Sequence, residues 1–565
     1  LEPVGCFSCI LYQIAIFLLE CITKKNQSIL CCTKLVMIMQ KTDDFSRACQ
    51  EIMEKLLTID NPTTSVIKNE IKNVCTKYSL ERFPRNNEIL SMANPLEFKK
   101  LQNILLTKPV KSASGVTVIA VMPKPYACPH GRCSYCPGGI EFNTPNSYTG
   151  KEPITISAIE NQYDPKIQIS KKIQHLISFG HDPTKIELVL VGGTFLFMPI
   201  DYQKNFIKSC YDALNGFDSI DLDSAKKSNE TAKHRNVGFT IETKPDYCKQ
   251  EHVDMMLDYG ATRIEIGVQS LQERVFEIVN RGHNLNDVID SFQIAKDSGY
   301  KIVAHMMPGL PTMSPKEDIN DFKTLFEDPK FKPDMLKIYP SLILKNTPMY
   351  DDFQSGKYTP YSDEDMLNVL TEVKKIVPKW VRIMRIQREI TPMEIMGGPK
   401  MGNLRQIVHK NLKSQGFSCK CIRCREAGLA KKNSVEEKLE LERIDYDSSN
   451  GKEVFLSYKD SEDLIYGFLR LRKPSTNAHR KEITNDVAIV RELHVFGKSI
   501  EIGKHEKESF QHVGLGKKLM AESERIAKDE FSSKKLLVIS AVGTREYYQK
   551  LGYKIYGPYV SKELI

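Results

Sequence analysis

The stretch Cys128-Pro-His-Gly-Arg-Cys133-Ser-Tyr-Cys136-Pro-Gly-Gly decides how this chain is read. Three thiolates within nine residues can each take one iron of a cubane [4Fe–4S] cluster, which leaves the fourth iron open to a small molecule. An electron-transfer ferredoxin would need four cysteines. A three-cysteine cluster is the arrangement that binds S-adenosylmethionine (SAM) and cleaves it to a 5′-deoxyadenosyl radical. A zinc knuckle is the competing reading, with His130 as its fourth ligand. Chance burial of three cysteines fits less well, because Pro137-Gly138-Gly139 follows at once and thins the backbone around a bulky group.

The flanks agree with a barrel. Residues 115–122 form an apolar run that leads straight into the cysteine loop. After it, strand-like runs at 186–191, 238–242, 263–268, 302–306 and 335–339 alternate with helical patterns. That alternation predicts an α/β fold, a β/α barrel or half-barrel spanning 113–398. The C-terminal ends of such strands make the active face. Gly192, Gly193, Thr194, Glu242 and Gln269 stand at those ends and are expected to ring the cluster and SAM. Bare glycine backbone at 192–193 suits the SAM amino group, although a plain strand-end turn reads equally well from that step alone. Glu242 and Gln269 are pocket residues or satisfied core polars.

Upstream, apolar residues recur at three- and four-residue spacing from 43 to 107, so residues 37–112 read as a helical region with a break at Asn61-Pro62. The first 36 residues carry five cysteines and a short apolar run, and are expected to be a disordered or non-native leader. That run is too short to span a bilayer, and no membrane association is expected.

Composition is that of a globular protein, with 41% hydrophobic and 27% charged residues among 565. The net charge of +9 is unevenly spread: residues 68–111 hold nine Lys/Arg against four Asp/Glu, and 399–433 hold nine against one. Basic stretches are often solvated faces, but two flanking a catalytic core point to a phosphate backbone. The cysteine spacing is not that of a disulfide framework, which implies a reducing, cytoplasmic setting.

A second trio, Cys419, Cys421 and Cys424, lies in the basic stretch 399–434. A structural zinc is expected there, with His409 as fourth ligand, and a second iron–sulfur cluster is the alternative. The last domain, 435–565, shows strands at 453–458, 464–471, 487–495 and 536–540. Phe510-Gln511-His512-Val513-Gly514-Leu515-Gly516 then runs into a helix. A loop of that kind aims backbone N–H groups at an anion. With Tyr547, Tyr548 and Leu551-Gly552-Tyr553 beyond it, the order is that of an N-acetyltransferase (GNAT) binding the pyrophosphate of acetyl-CoA.

Radical-SAM and acetyl-CoA motifs in one chain resemble one family, the catalytic acetyltransferase subunit of Elongator in its single-chain form. The likeness is dense at Pro123-Lys-Pro-Tyr-Ala-Cys, Tyr148-Thr-Gly-Lys-Glu-Pro, Trp380-Val-Arg-Ile-Met-Arg, Arg491-Glu-Leu-His-Val and Gly543-Thr-Arg-Glu-Tyr-Tyr. The compact first cysteine spacing and the second trio resemble archaeal members, and Lys244 stands where an arginine is common. The resemblance implies an enzyme that makes 5-carboxymethyluridine at wobble position 34 of tRNA from acetyl-CoA and a SAM-derived radical. It further implies that Lys185, Glu492, Leu493, His494, Val495, Phe510, Gln511, His512, Gly514, Gly516 and Tyr547 contact acetyl-CoA, with Tyr547 or Tyr548 as general acid. Expected partners are the tRNA anticodon arm and acetyl-CoA; a homodimer is open, and accessory Elongator subunits are not expected. A protein lysine acetyltransferase with a structural radical domain is the alternative, and a non-catalytic tRNA scaffold stands behind it.

Overall fold

The computed structural model describes residues 28–60, 62–102, 104–106, 115–429, 438–496 and 514–564. Two compact units emerge, Leu1–Pro109 with Gln174–Asp182, and Val110–Ile173 with Pro183–Ile565.

In the first unit the expected helical region is four helices, Ser28–Leu57, Thr64–Lys77, Asn86–Leu90 and Pro95–Leu101. Their ends obey local chemistry. Thr63 caps the second helix by accepting from the Val66 N–H at 3.4 Å, and Asn94 caps the fourth, with Pro95 in its first turn and Glu97 closing a capping box. Ile52, Leu56, Val74, Leu90 and Leu101 form the buried core. The first helix starts at Ser28, so the backbone of 28–36 is helical rather than disordered; residues 1–27 of the expected leader lie outside the described residues.

The second unit holds two seven-stranded sheets. Strands β1 (Thr117–Val121), β2 (Lys185–Leu190), β3 (Arg235–Thr243), β4 (Arg263–Gln269), β5 (Lys301–Met306) and β6 (Met335–Ile338) pair in parallel in that order. After the short β7 (Ile343–Leu344), strand β8 (Arg382–Arg385) completes the sheet beside β6, and β9 (Ile395–Gly397) pairs with β7. The half-barrel is therefore as expected, but its last strand lies in a stretch that reads as basic rather than as strand.

The second sheet comprises β10 (Glu440–Ser448), β11 (Gly451–Lys459), β12 (Ile465–Lys473), β13 (Val487–Val495), β14 (Lys535–Val538), β15 (Lys554–Tyr556) and β16 (Tyr559–Glu563). Strands β10 to β13 are antiparallel, β13 and β14 run parallel, and β16 returns antiparallel to β14. A bulge leaves Arg491 unpaired, since Arg470 faces Glu492 while Leu471 faces Val490. Bulges re-aim side chains. This one sends the Arg491 guanidinium into the half-barrel, where both Nη atoms donate to Asp334 at 2.7 Å.

Asp334 immediately precedes β6, and that position recurs. Arg491 also donates to the Tyr300 carbonyl before β5, Arg472 donates to Asp297 at 2.6 Å, and Gly543 packs its backbone on Arg235 and Asn236 at the start of β3. The second sheet thus docks on the N-terminal ends of the parallel strands. Glu453 bridges Arg491 and Arg472, so Asp297, Asp334, Glu453, Arg472 and Arg491 form one ionic network with almost no exposure. Removing one member of such a network costs roughly 3–5 kcal/mol, because a charge is left buried and unpaired.

Among the described residues, no helix is long and apolar enough to cross a membrane.

Candidate functional site

The cysteine loop follows β1 at the C-terminal end of the half-barrel. Cys133 and Cys136 are buried and Cys128 is partly so. Gly138 is required where the loop doubles back: a Cβ there would lie 2.4 Å from the carbonyls of Pro145 and Tyr148. The three thiols are not among the groups whose ligand atoms all lie within 4.8 Å of one another. Such spacing suits separate irons of a cubane better than one tetrahedral ion, around which sulfurs at about 2.3 Å from the metal sit about 3.8 Å apart. His130 lies between Lys244 and Cys133. Lys244 Nζ lies 2.9 Å from its Nδ1, and its Nε2 faces Cys133 Sγ at 3.2 Å. Burial, with Cys136 and Cys133 next to it, pushes the Cys128 thiol up to about 11, so ligation has to displace its proton.

The residues expected around the cluster stand at the same end. Gly192 and Gly193 turn after β2 with φ of 118° and 86°, pressed against Pro145 and Asn146. The Thr194 hydroxyl reaches the Cys128 thiol. Gln269 ends β4 in the left-handed region at φ 73°, and its Oε1 is buried without a partner. An unsatisfied carbonyl on a strained backbone makes Gln269 a candidate ligand contact. The strain is held from behind, where Asp321 accepts from Ser270 Oγ, the Leu271 N–H and Gln272 Nε2.

Below these ends the barrel interior is ionic, where branched apolar side chains are the rule. Glu242, Glu265, His305 and Lys337 stand on four successive strands. His305 Nε2 lies 2.8 Å from Glu265, and Lys337 pairs with Glu265 and, at 3.7 Å, with Glu242. Although burial pushes it up, Glu265 is held well below the carboxylate range by Lys337 and His305. Burial, opposed by Lys337, raises Glu242. Because the Lys337 ammonium sits among these carboxylates, the group is a salt-bridge cluster and not a vacant cation site.

The residues expected at acetyl-CoA gather at the opposite end. Gly514, at φ 75°, starts the helix Leu515–Arg525, and a Cβ on Gly516 would meet Tyr547 Oη at 2.7 Å and Val495 at 3.8 Å. Lys185 opens β2 beside Arg235, which pairs with Glu546 at 2.7 Å. Glu492 accepts from Arg470 at 2.8 Å, Leu493 packs on the sheet's core, and the buried His494 stacks on Phe468. Tyr547 is 38% exposed, whereas Tyr548 is packed in the core, where burial raises its hydroxyl; Tyr548 is therefore a packing residue. Phe510, Gln511 and His512 lie outside the described residues. Among the described residues, the second set lies at the N-terminal ends of the strands, away from the cysteine loop.

The second trio is tighter. The sulfurs of Cys419, Cys421 and Cys424 lie within 4.8 Å of one another, with Cys421 and Cys424 at 3.5 Å. His409 Nε2, on the helix Leu404–Ser414, is 3.6 Å from Cys424 Sγ, but the Lys374 ammonium stands 2.9 Å from the same nitrogen, and His409 is not in the group that shares the 4.8 Å limit. This trio is not on a loose linker: Cys421 and Ile422 are fully buried, and Ile422 packs on Phe455 and Phe468. Within the basic stretch, Arg425 pairs with Glu442 and Asp463, and the one acidic residue, Glu426, pairs with Arg382.

A parallel half-barrel with a three-cysteine loop at its strand ends is the architecture of radical SAM proteins, and the Radical SAM superfamily model matches residues 122–325. The Radical_SAM C-terminal domain matches 333–414, and the ELP3 N-terminal domain matches 45–113. The chain belongs to the Elongator complex protein 3 family. It is 44% identical over 544 residues to a tRNA uridine(34) acetyltransferase of Methanocaldococcus jannaschii, covering 94% of this chain and 100% of that protein. It is 42% identical over 527 residues to Elongator complex protein 3 of Homo sapiens, covering 91% and 96%. Among solved structures, the Methanocaldococcus infernus Elp3 with an N-terminal deletion superposes with a TM-score of 0.71 at 43% identity, covering 80% of this chain and all of that one.

Arg281 was not legible as a site residue, although it approaches Cys133 Sγ at 3.7 Å. The one local signal is the glycine after it, Gly282, whose Cβ would strike His130.

Proposed function

We propose that this protein is a transferase that modifies uridine 34 of tRNA, building 5-carboxymethyluridine from acetyl-CoA by radical chemistry. The carrying observation is a radical-SAM half-barrel and an acetyltransferase-like sheet locked into one unit by buried ion pairs. Full-length relatives named tRNA uridine(34) acetyltransferase support the same reading. Antiparallel β10–β13 followed by the parallel β13–β14 step and a glycine-capped helix is the order of a GNAT domain.

Cys128, Cys133 and Cys136 would hold a [4Fe–4S] cluster, which when reduced supplies the electron that cleaves SAM. Gly192, Gly193 and Thr194 frame that site on one side and Gln269 on the other. At the far end, the N-terminus of the helix Leu515–Arg525 would take a pyrophosphate, with the Tyr547 hydroxyl beside Gly516 as a candidate contact to acetyl-CoA. Cys419, Cys421, Cys424 and His409 would hold a structural zinc. In the first unit, the exposed Lys68, Lys72, Lys99 and Lys100 are the candidate contacts to tRNA phosphates. Cytoplasmic location fits the reduced cysteines this chemistry needs.

The test is Gly516→Glu, which puts a carboxylate where the phosphates would lie. Mass spectrometry of tRNA after incubation with this variant is expected to show no 5-carboxymethyluridine, while SAM cleavage by the dithionite-reduced protein survives. Abundant modified uridine would overturn the role of the second sheet.

A further inference from the structure

Two cationic arms converge on one of the three cluster cysteines. Arg281, 8% exposed, donates from Nη1 to Cys133 Sγ at 3.7 Å and from Nη2 to the Gly267 carbonyl at 2.9 Å. Among the described residues no carboxylate pairs with it. The second arm is a relay. A lysine ammonium has donors and no acceptor, so Lys244 Nζ, 2.9 Å from His130 Nδ1, fixes the imidazole proton on Nε2. That proton points at Cys133 Sγ, 3.2 Å away, while Asp246 backs Lys244 at 3.1 Å. Two glycines make room: a Cβ on Gly267 would lie 2.3 Å from Arg281 Nη2, and one on Gly282 would lie 2.3 Å from the His130 Cβ. Cys136, by contrast, accepts the backbone N–H of Ser147 at 3.2 Å.

A buried cation without a counter-ion costs several kcal/mol. Here the counter-charge arrives when the thiols lose their protons to metal. A [4Fe–4S] cluster on three thiolates carries a net charge of about −1 oxidised and about −2 after gaining one electron. A fixed positive charge beside a ligating sulfur stabilises the second state more than the first. We propose that Arg281 is the charge-balancing residue of this cluster, raising its reduction potential through Cys133 and making the empty fold less stable than the loaded one. It is a positioning residue in the electrostatic sense, acting through the sulfur. The inference rests on the assignment of the cluster to Cys128, Cys133 and Cys136.

The experiment compares wild type, Arg281→Met and Arg281→Lys as full-length, anaerobically reconstituted proteins without SAM. Each is titrated with dithionite and mediators and followed by electron paramagnetic resonance. At the wild-type midpoint, the ratio of reduced to oxidised cluster in Arg281→Met is expected to fall about tenfold, equivalent to about 59 mV for one electron. Arg281→Lys, which keeps the charge and loses the fork, is expected to stay close to wild type. Thermal melts of the metal-free proteins give a second readout: empty Arg281→Met should melt no lower than empty wild type. An unchanged midpoint in Arg281→Met with full iron content overturns the proposal, as does equal lowering in both variants. A lower melting temperature for empty Arg281→Met also overturns it, and if that variant takes up no iron the melts decide alone. A wild-type protein that binds no iron at these cysteines is a different failure, that of the cluster assignment itself.

Discussion

Two trios of cysteines sit in the same unit, each beside a buried cation, and they are built differently. Cys128, Cys133 and Cys136 are held apart on a loop that glycines keep thin, with Arg281 against one sulfur. Cys419, Cys421 and Cys424 converge within 4.8 Å, with buried Lys374 at 3.8 Å from Cys424 and 2.9 Å from His409. The difference is one of separation: three sulfurs around one ion would have to nearly touch, whereas three sulfurs on a cubane would each address their own iron. Placement follows the same logic. The first trio lies at the strand ends, and in the second Ile422, next to Cys421, packs on Phe455 and Phe468.

The largest expected effect breaks the first site. Replacing Cys128, Cys133 and Cys136 with Ala should remove the iron absorbance of the reconstituted protein and leave no detectable 5′-deoxyadenosine from SAM. About four irons persisting in that variant would mean that the second trio, or another site, holds the cluster. The second effect is on stability. Replacing Cys419, Cys421 and Cys424 with Ala should lower unfolding free energy by several kcal/mol, because metal binding is folding energy at such a site. Metal analysis should show zinc lost and the iron of the first site kept; a loss of iron alone would merge the two sites. The smallest effect sharpens the contrast. His409→Ala leaves three thiolates in place and should weaken zinc by about tenfold or more in a chelator competition, with little change in melting temperature at saturating zinc. Unchanged affinity would put the fourth ligand elsewhere.

Much of this was legible locally. The cysteine spacings, the caps at Thr63 and Asn94, and the apolar runs of β2 to β6 are short-range features, and the strands fall within a few residues of where the runs lie. Other elements were masked by their own composition. Strand β8, Arg382-Ile-Met-Arg385, has only two apolar residues, enclosed by arginines, and so gives neither an apolar run nor an alternating pattern. Strand β10 exposes Arg443, Asp445 and Asp447 on one face and carries no long apolar run. The barrel interior was hidden for a related reason: Arg263, Glu265 and Lys337 look like ordinary polar interruptions until neighbouring strands stack them into one layer. Tyr547 and Tyr548 are adjacent in sequence, and helical geometry alone could not say which of them faces the core.

What the sequence determined by itself is the ligand chemistry: which residues can hold soft metals, which loops can approach an anion, and where helices start. These follow from spacing and side-chain type within about ten residues. What the tertiary structure decided is who meets whom across the fold. Arg281 reaches Cys133 across 148 positions, and Arg491 reaches Asp334 across 157 because one bulge turns it inward. It also set the acetyltransferase-like sheet at the end of the barrel away from the cysteine loop. Strand register and a single extra residue in β13 fix those meetings, and neither is written in local spacing, because a one-residue slip reverses every face of a strand.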